Sequence, residues 1–132
     1  MENRSIGATL LRPNGERVLY APFVEMDLNK FIKQLKNEVT WELQDHNAIT
    51  IYKSENATIL LRGMHRQCEL KERQVNGDIT LQVLKGKIRL IIGSDIKILK
   101  KGHMICIENK VAHSFVAVKE SFFLLTLVAP KV

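Results

Sequence analysis

Ile79-Thr80-Leu81-Gln82-Val83-Leu84-Lys85-Gly86-Lys87-Ile88-Arg89-Leu90-Ile91-Ile92 is the stretch that decides the fold. Side chains of a strand alternate between its two faces, so Ile79, Leu81 and Val83 share one face and Thr80, Gln82 and Leu84 the other. Lys85-Gly86-Lys87 supplies turn chemistry, and Lys87–Ile92 reads as the return strand of a hairpin. The same cadence extends in both directions. Upstream, Ala48–Tyr52 and Thr58–Met64 read as strands. Downstream, Gly93-Ser94-Asp95 is a turn, and Ile96–Leu99, Met104–Ile107, Ser114–Val118 and Phe122–Val128 are strands. Strands that recur every 8–12 residues with turn residues between them predict an antiparallel sandwich or barrel. The last of them is apolar on both faces, so its outer face needs a cover, either the N-terminal segment or a second subunit.

Residues 1–44 read differently and form an N-terminal arm, with the barrel over 45–132. Arg12-Pro13-Asn14-Gly15 is a turn signal, and Val18-Leu19-Tyr20 an extended segment ahead of Pro22. Asp27 is an N-cap residue. After it, Leu28, Phe31, Ile32 and Leu35 fall at helical spacing, opposite Lys30, Lys33, Lys36 and Asn37. That predicts a short amphipathic helix over about 28–37.

Composition narrows the function classes. Apolar residues are 45% of the 132 and charged residues 26%, enough to build one core. No apolar run reaches the roughly 18–20 residues that span a bilayer. No apolar stretch follows Met1-Glu2-Asn3-Arg4, so the expectation is a cytoplasmic protein without a membrane partner. Cys68 and Cys106 lack CxxC spacing, which predicts reduced thiols and suggests no zinc site. The net charge of +6 is dispersed and aromatic residues are 6%, so nucleic acid is not an expected partner.

The residues from Arg62 to Pro130 resemble the cupins, small all-β barrels of jelly-roll (double-stranded β-helix) type. Gln82–Arg89 is similar to the family's VL-x-G segment, and Gly102 opens what resembles its second motif, with His113 at that motif's His. Gly86 and Gly102 enclose fifteen residues, a usual spacing between the two motifs. The likeness is to small RmlC-like bacterial cupins of the conserved-barrel kind, carrying a short N-terminal helical arm. It implies an inward face bearing Ile79 and a homodimer.

The resemblance also implies where a divalent metal would be held, and there the sequence departs from the family. The family's two first-motif His fall on Arg73 and Val75, its Glu on Ile79, and its second-motif His on His113. The second motif's Pro, Gly and Asn are replaced by Glu108, Lys110 and Ala117. Arg is no ordinary metal ligand, so the expectation is no metal cofactor. A one-residue shift brings Glu72 and Gln74 to the His positions, leaving His113, Glu72 and His65 as the remaining metal candidates. His46 and His103 stand alone, and Met64 and Met104 read as core filler.

What is left is a pocket pattern, an apolar wall with few polar groups. Ile79, Leu81 and Phe115 form the wall, and Arg73 and His113 the polar edge, with Lys71, Glu69 and Glu72 beside them. Arg73 suits a carboxylate or phosphate, and His113 a hydrogen bond or proton transfer. Alternatively, Arg73 pairs with Glu72 or Glu108. His113 and Ser114 are adjacent and point to opposite faces, so they form no nucleophilic pair. The sequence therefore predicts a metal-free module that binds a small, anionic ligand or acts as a sensor. One alternative is a cupin-type isomerase or dioxygenase rebuilt around His113, Glu72 and His65. Another is a structural protein whose arm is swapped across a dimer.

Overall fold

The stretch 79–92 does form two strands, but they do not pair with each other. The computed structural model describes residues 2–71 and 75–130. Its elements are β1 (Arg4–Ile6), β2 (Arg17–Tyr20), α1 (Leu28–Asn37), α2 (Val39–Leu43), β3 (His46–Lys53), β4 (Ala57–Met64), β5 (Glu69–Lys71), β6 (Asp78–Lys85), β7 (Lys87–Ile92), β8 (Asp95–Lys100), β9 (Met104–Ile107), β10 (Ser114–Ala117) and β11 (Ser121–Val128). One sheet runs β3-β4-β11-β6-β9 and the facing sheet β5-β10-β7-β8, with every pairing antiparallel. β6 and β7 thus lie in different sheets, and Lys85-Gly86-Lys87 is the corner between them. A hairpin and a corner share the same alternating pattern, so the pattern alone favoured the wrong one.

Gly86 is needed at this corner because its φ is +89° and an added Cβ would run into Ser121 and the Glu120 carbonyl. Ser121 Oγ accepts from Lys87 N at 2.9 Å and is within 3.1 Å of the Lys87 carbonyl and 2.8 Å of the Lys119 carbonyl. The fully buried hydroxyl pins this corner to the one between β10 and β11. The true hairpin is β7–β8, closed by Gly93 and Ser94, with Ile92 opposite Asp95.

The two sheets close on one core. Met64, Ile79, Leu81, Val83, Ile88, Leu90, Leu99, Ile107, Phe115, Ala117 and Phe123 all lie in it, nearly or fully buried. A second core lies on the outer face of the five-stranded sheet, where Ile32, Leu35 and Trp41 of the arm meet Ile49, Ile51, Leu61 and Phe122. Neighbours Phe122 and Phe123 therefore serve opposite faces of β11. The two-sided apolar strand is covered by the chain's own arm. Burying Ile32 and Leu35 contributes about 1.5–3 kcal/mol each. Asp27 caps α1 as its sequence predicts, accepting from Lys30 N at 3.1 Å.

A polar network fastens the arm. Arg12 Nε donates to Glu38 Oε2 at 2.9 Å, and its Nη2 donates to the Ala48 carbonyl at 2.7 Å. Asn47 Nδ2 donates to Glu38 Oε1 at 3.0 Å and to the Leu35 carbonyl at 3.1 Å, and Gln34 Nε2 to Glu38 Oε2 at 3.1 Å. Glu38 is only 7% exposed. Burial would raise its pKa, but the donors from Arg12, Asn47 and Gln34 outweigh that and hold it below 4.5. Sequence pattern shows neither this network nor α2. Met104 is another departure, since it is 55% exposed on an edge strand and not in the core. Among the described residues no helix is long and apolar enough to cross a membrane.

Candidate functional site

His113 immediately precedes β10, and the alternation His113, Phe115, Ala117 turns all three into the barrel, buried. The His113 ring lies 5.2 Å from Phe115, which lies 5.7 Å from Phe123. Nδ1 is 3.0 Å from the Val111 carbonyl, so it carries the proton and donates. Nε2 is then a lone-pair acceptor, buried and without a partner among the described residues. The whole residue is 4% exposed. Half-buried Val75, Ile92 and Val111 pack against the core near this end, beside residues paired with or preceding β10.

Arg62 is the inward cation that sequence reasoning missed. Leu61 and Gly63 face the arm, so Arg62 between them faces the interior, opposite Phe123 in register. Its charge reaches Cys68. The signal was present, because Arg62 alternates with Leu61 and Gly63 inside an apolar strand, but nothing in the sequence says which face of that strand is the inner one.

The other expected site residues are placed as follows. Ile79, Leu81 and Phe115 are buried in the inner wall. Lys71 and Glu69 are exposed, because Leu70 takes the inward position opposite Phe115 and turns its neighbours outward. Lys71 is therefore not brought to His113. His65 belongs to the arm side, where its ring stacks 3.7 Å from Trp41 and its Nε2 hydrogen-bonds the Trp41 carbonyl at 2.7 Å. The structure does not group His65 with His113. Arg73 and Glu72 lie outside the described residues.

The motif positions that hold a divalent metal in cupins carry Val75 and Ile79 here, both packed in the apolar core. One imidazole beside two aliphatic side chains does not fit such a centre. Cys68 also lies in this core as a buried free thiol. Burial pushes its pKa up to about 11, with the Asp45 carboxylate adding to the rise.

Solved structures share this arrangement of strands. A cupin-2 domain-containing protein from Shewanella frigidimarina superposes with TM-score 0.64 at 14% identity, over 78% of this chain and 93% of that one. The chain has the cupin fold. A conserved protein of unknown function from Streptococcus pyogenes matches this cupin barrel with TM-score 0.62 at 21% identity, over 67% of this chain and 79% of that one. The cupin-2 domain of an XRE-family transcriptional regulator from Enterobacter cloacae matches with TM-score 0.62 at 8% identity, over 67% of this chain and all of that one. No family model matches the chain, and no curated protein matches its sequence.

Proposed function

We propose that this cupin is a metal-independent ligand-binding module of the sensory kind, its ligand held at the His113 end of the barrel. The observation that carries the reading is the buried Nε2 of His113, which has no partner among the described residues. An unmade hydrogen bond in a core costs about 1–3 kcal/mol, and a fold that retains one has a use for it. With Nδ1 donating to Val111, Nε2 accepts, so the ligand offers a hydroxyl or a protonated acid. The inward charge of Arg62 makes the barrel interior electropositive, which favours an anionic ligand without direct contact. A small hydroxy acid meets both demands. Because His113 is 4% exposed, the ligand enters by local opening where Val75, Ile92 and Val111 are half-buried. A sensory role is supported by the regulator domain from Enterobacter cloacae, which has a barrel of this shape.

The test is thermal unfolding of the purified protein against a panel of small hydroxy acids, sugar acids and phosphates, in wild type and His113→Leu. The expected result is a concentration-dependent rise in Tm with at least one compound, absent in His113→Leu. Equal stabilisation of both proteins, or a stoichiometric bound metal that His113→Leu removes, rejects the reading.

A further inference from the structure

The second chemical cluster in this chain lies away from His113 and brings together three different metal-ligand types. Asp45 precedes β3, His46 opens it, and Cys68 follows the turn after β4. One ligand atom from each lies within 4.8 Å of the other two. Two segments of chain supply them, and a backbone bond from His65 N to the Asp45 carbonyl, 2.9 Å, holds those segments in register. The turn is further fixed by Cys68 N to the His65 carbonyl at 3.0 Å and Ala117 N to the Cys68 carbonyl at 2.9 Å. Gln67 within it has a φ of 71°, a conformation that non-glycine residues seldom adopt. The turn sets Cys68 Sγ within 4.8 Å of an Asp45 carboxylate oxygen.

We infer that Asp45, His46 and Cys68 form a binding site for a zinc-like divalent transition metal, with three protein ligands and an open fourth position. The donor set is one carboxylate oxygen, one imidazole nitrogen and one sulfur. That combination suits Zn²⁺ or Co²⁺ and not Mg²⁺ or Ca²⁺, which prefer oxygen alone. Bonds of about 2.0–2.3 Å put the ligand atoms of a tetrahedral centre roughly 3.3–3.8 Å apart, so the cluster, with all its ligand atoms within 4.8 Å and one pair at 2.8 Å, needs only small side-chain shifts. The two ligands that move are the accessible ones, because the Asp45 and His46 side chains are 64% and 37% exposed. The buried Cys68 stays fixed. In the metal-free state Asp45 Oδ1 and His46 Nδ1 hold each other at 2.8 Å. On binding, the metal displaces the thiol proton, which leaves to solvent, and His46 shifts its ring proton from Nδ1 to Nε2, so that the Nδ1 lone pair meets the metal in place of that hydrogen bond. The spacing of the two cysteines hides this site, since only one of them takes part and the other ligands come from 22 and 23 residues earlier.

Titration of the metal-free protein with Co²⁺ tests the site. A cobalt–thiolate bond gives an intense sulfur-to-metal charge-transfer band in the near ultraviolet, and tetrahedral geometry gives strong visible bands. The expected result is both signals at one equivalent, displaced by Zn²⁺. His46→Ala and Asp45→Asn, at exposed positions that leave the core intact, each weaken binding at least tenfold. Cys68→Ser removes the charge-transfer band, whereas Cys106→Ser and His113→Leu keep it. No charge-transfer band in wild type overturns the inference. So does a band that Cys106→Ser abolishes, or affinity unchanged in His46→Ala.

Discussion

His113→Leu is expected to make this protein more stable and, on the proposed reading, to abolish ligand binding. The argument starts from the imidazole. Its Nε2 is buried and has no partner among the described residues, and such an atom costs about 1–3 kcal/mol relative to an apolar group in the same place. Leu removes that penalty. It also forfeits the Nδ1 bond to the Val111 carbonyl, worth about 0.5–1.5 kcal/mol net. The balance favours the variant by about 1 kcal/mol. With a urea dependence of about 2 kcal/mol per molar, the midpoint rises by about 0.5 M. Trp41, the only tryptophan, is buried between the arm and the barrel and reports the transition by fluorescence. A residue kept against stability and required for binding follows the usual trade between the two. A midpoint lower by 1 M or more refutes the reasoning, because the imidazole would then be a structural member of the core and not a group held ready for a ligand.

Three further outcomes follow from the fold. Glu38→Gln leaves the Arg12 guanidinium without its carboxylate and lowers stability by about 2–3 kcal/mol in urea unfolding at neutral pH. Because the folded pKa of Glu38 lies below 4.5, its contribution is full above that pH and fades as pH falls through the depressed value. Wild type therefore loses stability on acidification below about 4.5 along a steeper curve than Glu38→Gln, and parallel curves would contradict the assignment. Trp41→Ala, which empties the space between His65 and Phe122, costs about 3–5 kcal/mol, measured by circular dichroism. Gly86→Ala forces a side chain onto the Ser121 corner at positive φ, with an expected loss of about 2–3 kcal/mol; a shift under 0.5 kcal/mol would show that the corner tolerates a Cβ.

The strands and the capped helix after Asp27 were legible because each obeys a local rule of period or capping, whereas the inward face of Ile79, Leu81 and Val83 followed from the resemblance to cupins. Three other kinds of feature were not. Lys87–Ile92 pairs with β10, more than twenty residues later in the chain, and not with β6, and local pattern carries no such term. The facing of Lys71 depends on the short strand β5, where a single residue of register exchanges Leu70 for its neighbours. Arg12, Glu38 and Asn47 come from separate segments and look like ordinary surface polar residues until the arm folds back. The same holds for Asp45, His46 and Cys68. His113 could be found from sequence because a motif marks it, but that its second nitrogen lacks a partner is visible only once its neighbours are in place.

The arm's docking site has a consequence for synthesis. α1 is made early, yet the surface that receives it is completed by Phe122 on the last strand. At translation rates of about 5–20 residues per second, roughly 4–17 s separate Leu35 from Phe122. For much of that interval the apolar stripe of α1 meets a surface that has Ile49, Ile51 and Leu61 but still lacks its last strand. The arm is thus translated before its docking site is complete.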